Sequence, residues 1–236
     1  MHSRHSVTVR FDEPQLHTDH IIQATIHGMG LANRICERWT KKYWICDLGI
    51  ESFVSSKIAE EVDNYIQALG LSGYTLYPEA TLNGIFDEDS LRANTVRYVS
   101  ETQRCDLAII GPDEDIQALV EIKRRAAMNG LYKDIMTLAD IVGGVYANQD
   151  TAPVGISCVF LDAAPGSKSR SLDEIVDNTQ TQIAYWFSDE IMPAYDADLG
   201  LSFVEGPTTT FHSSNADLAE WHGWTARPLC TVIERT

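Results

Sequence analysis

The sequence predicts an α/β domain: a mixed β-sheet flanked by helices, in the core order helix, three strands, helix, strand, with additions at both ends. Three observations predict it. Val54, Ile58, Val62, Ile66 and Leu69 recur at helical spacing across 49–69, and Gly70 follows as a stop. Two apolar runs, Arg104–Ile110 and Ile116–Lys123, are joined by the polar turn Gly111-Pro112-Asp113-Glu114-Asp115, the signature of a β-hairpin. Val154–Leu161 is a nearly unbroken apolar run, as a strand buried on both faces requires. The core then covers about 49–162 of a single domain. Residues 1–48 form an N-terminal strand and helix extension, and 163–236 an acidic C-terminal α/β extension.

The other elements follow in order. Ser6–Phe11 alternates and reads as a short strand. Thr18 or Asp19 caps a helix reaching about Trp39, with Ile22, Ile26, Met29 and Ile35 on its apolar side. Gly28 and Gly30 predict a break in it. Gly28-Met29-Gly30 lacks the third glycine and the preceding strand of a dinucleotide loop. Tyr74–Tyr77 begins a strand, and 82–95 is a loop or short helix. The hairpin region covers about 97–123. Leu131, Ile135, Leu138, Ile141 and Val142 mark a helix over about 130–145. After a loop at 165–169, Ser171 caps a helix with Asp173 and Glu174 in its first turn. Short strands near 200–205 and 228–234 finish the chain.

The formal charge is −16, which argues against broad nonspecific attraction to nucleic acid. The charge is uneven. Residues 1–136 hold 14 Lys/Arg against 20 Asp/Glu, and residues 137–236 hold 4 against 14. Basic side chains gather near the hairpin (Arg92, Arg97, Arg104, Lys123, Arg124, Arg125, Lys133) and at Arg34, Arg38, Lys41 and Lys42. The acidic C-terminal part is a solvated face or a docking surface for a basic partner. Five scattered cysteines without a CxxC pair indicate neither structural zinc nor a disulfide framework, so a reducing, cytoplasmic location is expected. No run of about 18 apolar residues predicts a membrane span, and Met1–His5 does not open a signal peptide.

Asp106, Glu121 and Lys123 carry the chemistry. Antiparallel pairing sets the start of the first hairpin strand beside the end of the second, and period-2 geometry puts Glu121 and Lys123 on one face. Two carboxylates and an ammonium then converge in an apolar hairpin. Such a set suits a divalent metal and a water held against a phosphate. Asp113 of the literal Pro112-Asp113 pair lies at the other end of the hairpin, so Asp106 is the relevant acid.

With its flanking helices and strands, this order resembles the PD-(D/E)xK nuclease superfamily, the restriction-endonuclease-like fold. The resemblance covers about 49–162 and rests on Asp106, Glu121, Lys123 and their hairpin, with Cys105 standing where the motif's Pro is often replaced. It implies Mg²⁺, with Mn²⁺ as a substitute, held by Asp106, Glu121 and the Ile122 carbonyl. It implies that the metal activates a water and that Lys123 orients it or helps to deprotonate it. The implied reaction is phosphodiester hydrolysis leaving a 5′-phosphate. The implied substrate is DNA in preference to RNA, in defence, restriction or phage DNA processing. Relatives often add an acid from the preceding helix; of Glu51, Glu60 and Glu61, Glu51 falls within the buried arc, Glu61 at its edge and Glu60 away from it. Glu79 is a weaker candidate for substrate contact. Arg124, Arg125 and Lys133 are candidate phosphate contacts, and Lys133 could serve as a second catalytic lysine. A second copy of the chain, or a protein partner, could supply DNA affinity. The rival reading is a nuclease-fold binding module without catalysis, with an acidic partner-docking or DNA-mimic surface. His17-x-x-His20 lacks further metal ligands at useful spacing and reads as a solvated pair, and Trp221, His222 and Trp224 could stack on bases but read first as core or interface aromatics.

Overall fold

The hairpin is the centre of a seven-stranded mixed sheet in the computed structural model. The structure describes residues 15–40, 51–85, 103–124, 127–145, 152–165, 170–195, 198–210 and 223–236. The described elements are α1 (Thr18–Thr40), α2 (Glu51–Ala68), β1 (Thr75–Thr81), the single turn α3 (Leu82–Ile85), β2 (Arg104–Ile110), β3 (Ile116–Lys123), α4 (Met128–Ala139), β4 (Val154–Ala163), α5 (Leu172–Trp186), β5 (Leu199–Glu205), β6 (Thr209–Thr210) and β7 (Thr225–Arg235). From α2 to β4 the order is the expected one, with α3 inserted before the hairpin. The expected strand at 6–11, together with Lys41, Lys42, Arg92, Arg97, Arg125, Trp221 and His222, lies outside the described residues.

The sheet order is β1-β2-β3-β4-β7-β5, with β6 also paired to β7. β3 and β4 run parallel and the other neighbours antiparallel. A parallel pair needs a crossover, and α4 supplies it. β4 is buried along almost its whole length, which explains its continuous apolar sequence.

Side-chain alternation splits the core into two layers. Ala118, Val120 and Ile122 of β3 pack with Leu107 and Ile109 of β2 against α1 and α2. Leu119 of β3 and Ala108 of β2 pack on the other face against α4 and the end of α5. Glu121 and Lys123 share the parity of Leu119, so both side chains lie on the α4 side.

α1 corrects one expectation: it runs unbroken through Gly28 and Gly30. The ideal Cβ position at Gly28 lies 2.6 Å from Ile58 Cα and 2.9 Å from the Lys57 carbonyl oxygen. Gly28 is therefore the crossing point of α1 and α2, where only a hydrogen fits. Gly70, at φ +67°, ends α2 in the left-handed conformation, with Leu71 N–H donating to the Ile66 carbonyl at 3.0 Å. Ser171 and Glu174 form the reciprocal capping box that opens α5. The helix expected over 130–145 begins two residues earlier, and its last turn widens to π-helix at Asp140–Val145. Among the described residues no helix is long and apolar enough to cross a membrane.

Candidate functional site

The β2–β3 ladder ends at the pair Leu107–Val120. Beyond it a side chain takes over from the backbone: Asp106 Oδ2 accepts the Ile122 N–H at 2.6 Å. This bond ties the start of β2 to the end of β3 and brings Asp106 beside Glu121. Asp113 sits in the exposed turn at the opposite end.

Glu121 is buried, with 6% of its surface exposed. Its carboxyl is pushed up to about 9, first by burial, then by the charges of Asp134 and Asp106, with Lys123 opposing. Asp106 is raised by burial, while the Ile122 N–H and Lys123 pull it down and the charges of Glu51 and Glu79 push it up. Burial disfavours the charge on Lys123, but Asp134, Glu121 and Asp106 outweigh it and raise its pKa. Lys123 Nζ lies 3.3 Å from the Ile122 carbonyl oxygen, to which it donates, and 3.2 Å from Asp134 Oδ2.

Asp134 is the residue that the sequence reading missed. It lies on α4, which otherwise packs Leu131, Ile135 and Leu138 against the sheet. Burial raises it to about 6, with Lys123 opposing and Asp106 and Glu51 adding. Its Oδ2 is enclosed, with the Lys123 ammonium 3.2 Å away as its ion-pair partner. The signal was present: Asp134 falls within the arc that Leu131, Ile135, Leu138 and Ile141 define, as Glu51 does on its own helix. Lys133, one position round the helix, is exposed.

The helix acids separate clearly. Glu51, at the first turn of α2, is close enough to act on both Asp106 and Asp134. Glu61 instead faces α1, where His27 Nδ1 lies 2.5 Å from its Oε2 and Asn64 Nδ2 donates to its Oε1 at 3.3 Å. Glu60 is exposed and paired with Lys57. Glu79 stands at φ +53° within β1, between the ladder pairs Pro78–Leu107 and Ala80–Cys105. That left-handed conformation is strained for a residue with a side chain, and it falls beside Asp106. Arg124 follows Lys123 and is half-buried.

Among the described residues no three His, Cys, Asp or Glu side chains are gathered closely enough to form a metal cage as they stand. The donor chemistry nevertheless fits a hard cation. Asp106, Glu121 and Asp134 crowd one ammonium, Glu51 adds its charge to Asp106 and Asp134, and each of the first three is held above its ordinary value by burial and by neighbouring acids. An oxygen-binding divalent cation would relieve that imbalance. Ser157, level with Glu121 on β4, adds a buried hydroxyl with no hydrogen-bond partner among the described residues.

Comparison of the chain with family models, with curated proteins and with solved structures gives no match.

Proposed function

We propose that the chain is a metal-dependent phosphodiesterase of the PD-(D/E)xK type, with a restriction-endonuclease-like core, acting on DNA in preference to RNA. The supporting observation is the convergence of Asp106, Glu121 and Lys123 at one end of a central hairpin, with Glu51 and Asp134 brought in from the flanking helices. Asp106, Glu121, the Ile122 carbonyl and Glu51 would hold Mg²⁺ or Mn²⁺. When bound, that ion lowers the pKa of a coordinated water and offsets charge on the phosphate.

The chain's own groups have distinct tasks. The Ile122 N–H fixes one oxygen of Asp106, so the carboxylate keeps its orientation. Lys123 presents a charged ammonium at the site, and Asp134 holds it there. That ammonium can orient the attacking water and stabilise charge on the phosphorane. The water gives up a proton as its oxygen forms the new P–O bond, the P–O3′ bond breaks, and O3′ takes up a proton from solvent, so the products carry a 5′-phosphate and a 3′-hydroxyl. Arg124, Arg125 and Lys133 are the proposed phosphate contacts.

The net charge of −16 favours a second reading, a nuclease-fold module that docks a basic partner without cleaving. One experiment separates the two. Plasmid, linear duplex, single-stranded DNA and RNA are incubated with the protein in Mg²⁺, Mn²⁺ or EDTA. Cleavage of DNA is expected with metal and not in EDTA. Glu121→Ala and Lys123→Ala should each lose about a hundredfold or more in rate. Cleavage persisting in both variants removes the proposed site. No cleavage of any substrate, with no metal binding by calorimetry, supports the docking module.

A further inference from the structure

Between the start of α4 and the length of α5 lies an open cleft of about 600 Å³. This is within the roughly 300–1,000 Å³ of small-molecule clefts. Met128 lines it from the first turn of α4, and Ile175, Asn178, Gln182 and Trp186 line it from α5. The α5 residues recur at helical spacing, so they form one stripe. The first turn of α4 meets the cavity through Met128 and Lys123 through Gly130. Gly130, in the same turn as Met128, has its Cβ position 3.9 Å from Lys123 Cε.

The chemistry of the walls is specific. Arg170 is the only charged side chain among the described lining residues, a local cation within a chain of net charge −16. Gln182 and Arg170 make no hydrogen bond or ion pair among the described residues. Asn178 donates to the Glu174 carbonyl through Nδ2, which leaves Oδ1 available. Trp186 is held in place: Tyr132 meets it edge-on, with centroids 5.0 Å apart, and Tyr132 Oη donates to Glu190 Oε2 at 2.7 Å. A fixed indole, two amides and a guanidinium match the parts of a nucleotide. The ring stacks on a base, the amides meet its edge, and the guanidinium meets a phosphate.

We infer that this cavity receives one unpaired nucleotide of the substrate strand, adjacent to the phosphate presented to Lys123. The inference rests on the phosphodiesterase reading and adds a preference for single-stranded or locally opened DNA. A base inside a duplex is already stacked and paired on the edge that the amides would read.

The test measures binding, not cleavage. In EDTA, the protein is titrated into a short fluorescein-labelled single-stranded DNA and into the same sequence as a duplex, with anisotropy as readout. Trp186→Ala and Gln182→Ala should each weaken single-strand binding about ten- to a hundredfold, with little change for the duplex. Gln182→Ala and Arg170→Ala alter solvent-facing groups, so they report on the cavity even if Trp186→Ala unfolds. Wild-type affinity for the single strand in both of those variants, or no single-strand binding by the wild type, overturns the inference. Displacement of the strand by deoxyadenosine monophosphate at equal concentration also overturns it, because the occupant would then be a free nucleotide. Single-strand binding that falls in the variants while the wild type cleaves nothing retains the nucleotide site and removes the phosphodiesterase reading. Cleavage with unchanged binding in the variants does the reverse.

Discussion

At the scale of single residues, Glu121 has the clearest measurable consequence. Its carboxyl stands at about 9 in the folded chain against an ordinary 4.5, so the folded state keeps a proton that the unfolded chain releases. A raised carboxyl contributes stability that is complete below the unfolded pKa and is lost as the pH climbs through the folded value. Asp134, raised from 3.8 to about 6, acts with the same sign over a lower window. In EDTA the protein should therefore melt several degrees lower at pH 8.5 than at pH 5.5, since each pKa unit corresponds to roughly 1.4 kcal/mol. Glu121→Gln keeps the shape without the proton equilibrium, and its melting temperature should change much less over that range. A variant as steep as the wild type would falsify the assignment of the buried charge to Glu121.

At the scale of elements, the α1–α2 crossing is the sharpest feature. Gly28 touches backbone atoms of Lys57 and Ile58 that cannot turn aside. Alanine in a helix is favoured over glycine by about 1 kcal/mol. Forcing a methyl group into a packed contact costs about 1–3 kcal/mol or more. The clash should prevail at Gly28. Gly30 is the control, because the nearest atom to its Cβ position is Arg34 Nη1, the end of a long side chain, at 3.7 Å. Gly28→Ala should lower the unfolding midpoint in urea and Gly30→Ala should raise it. Equal shifts in the same direction would contradict the close crossing.

At the scale of the whole molecule, net charge sets the terms of any encounter with nucleic acid. A −16 chain repels phosphate at long range, so attraction must come from a few local cations. Arg124, Arg125, Lys133 and Arg170 are the proposed contacts. Neutralising four phosphates of a single strand gives a log–log salt slope of about −3. Binding measured between low and moderate KCl should show a slope no steeper than that. A much steeper slope would mean that the sheet or the C-terminal extension carries a cationic surface, against its count of 4 Lys/Arg and 14 Asp/Glu over 137–236.

The alternation of residue types, by itself, determined the elements and the end of the hairpin where the chemistry gathers. Helical spacing marked α2, α4 and α5, and the unbroken apolar run marked β4, because both patterns reflect which side of a local element meets the core. Strand pairing was enough to prefer Asp106 to Asp113, since the two lie at opposite ends of one hairpin. Only the tertiary structure decided what surrounds those residues. Glu51 and Glu61 share a helix, and the packing of α1 on α2 turns Glu61 to His27 and leaves Glu51 near Asp106. Attention to the basic residues near the hairpin favoured Lys133, whereas the docking of α4 on the sheet brings Asp134 to Lys123. Gly28 read as a helix break because propensity counts only the local chain, and the neighbouring helix that requires it lies about thirty residues away. Local sequence determines which face of an element is buried; which partner that face meets depends on contacts between distant segments.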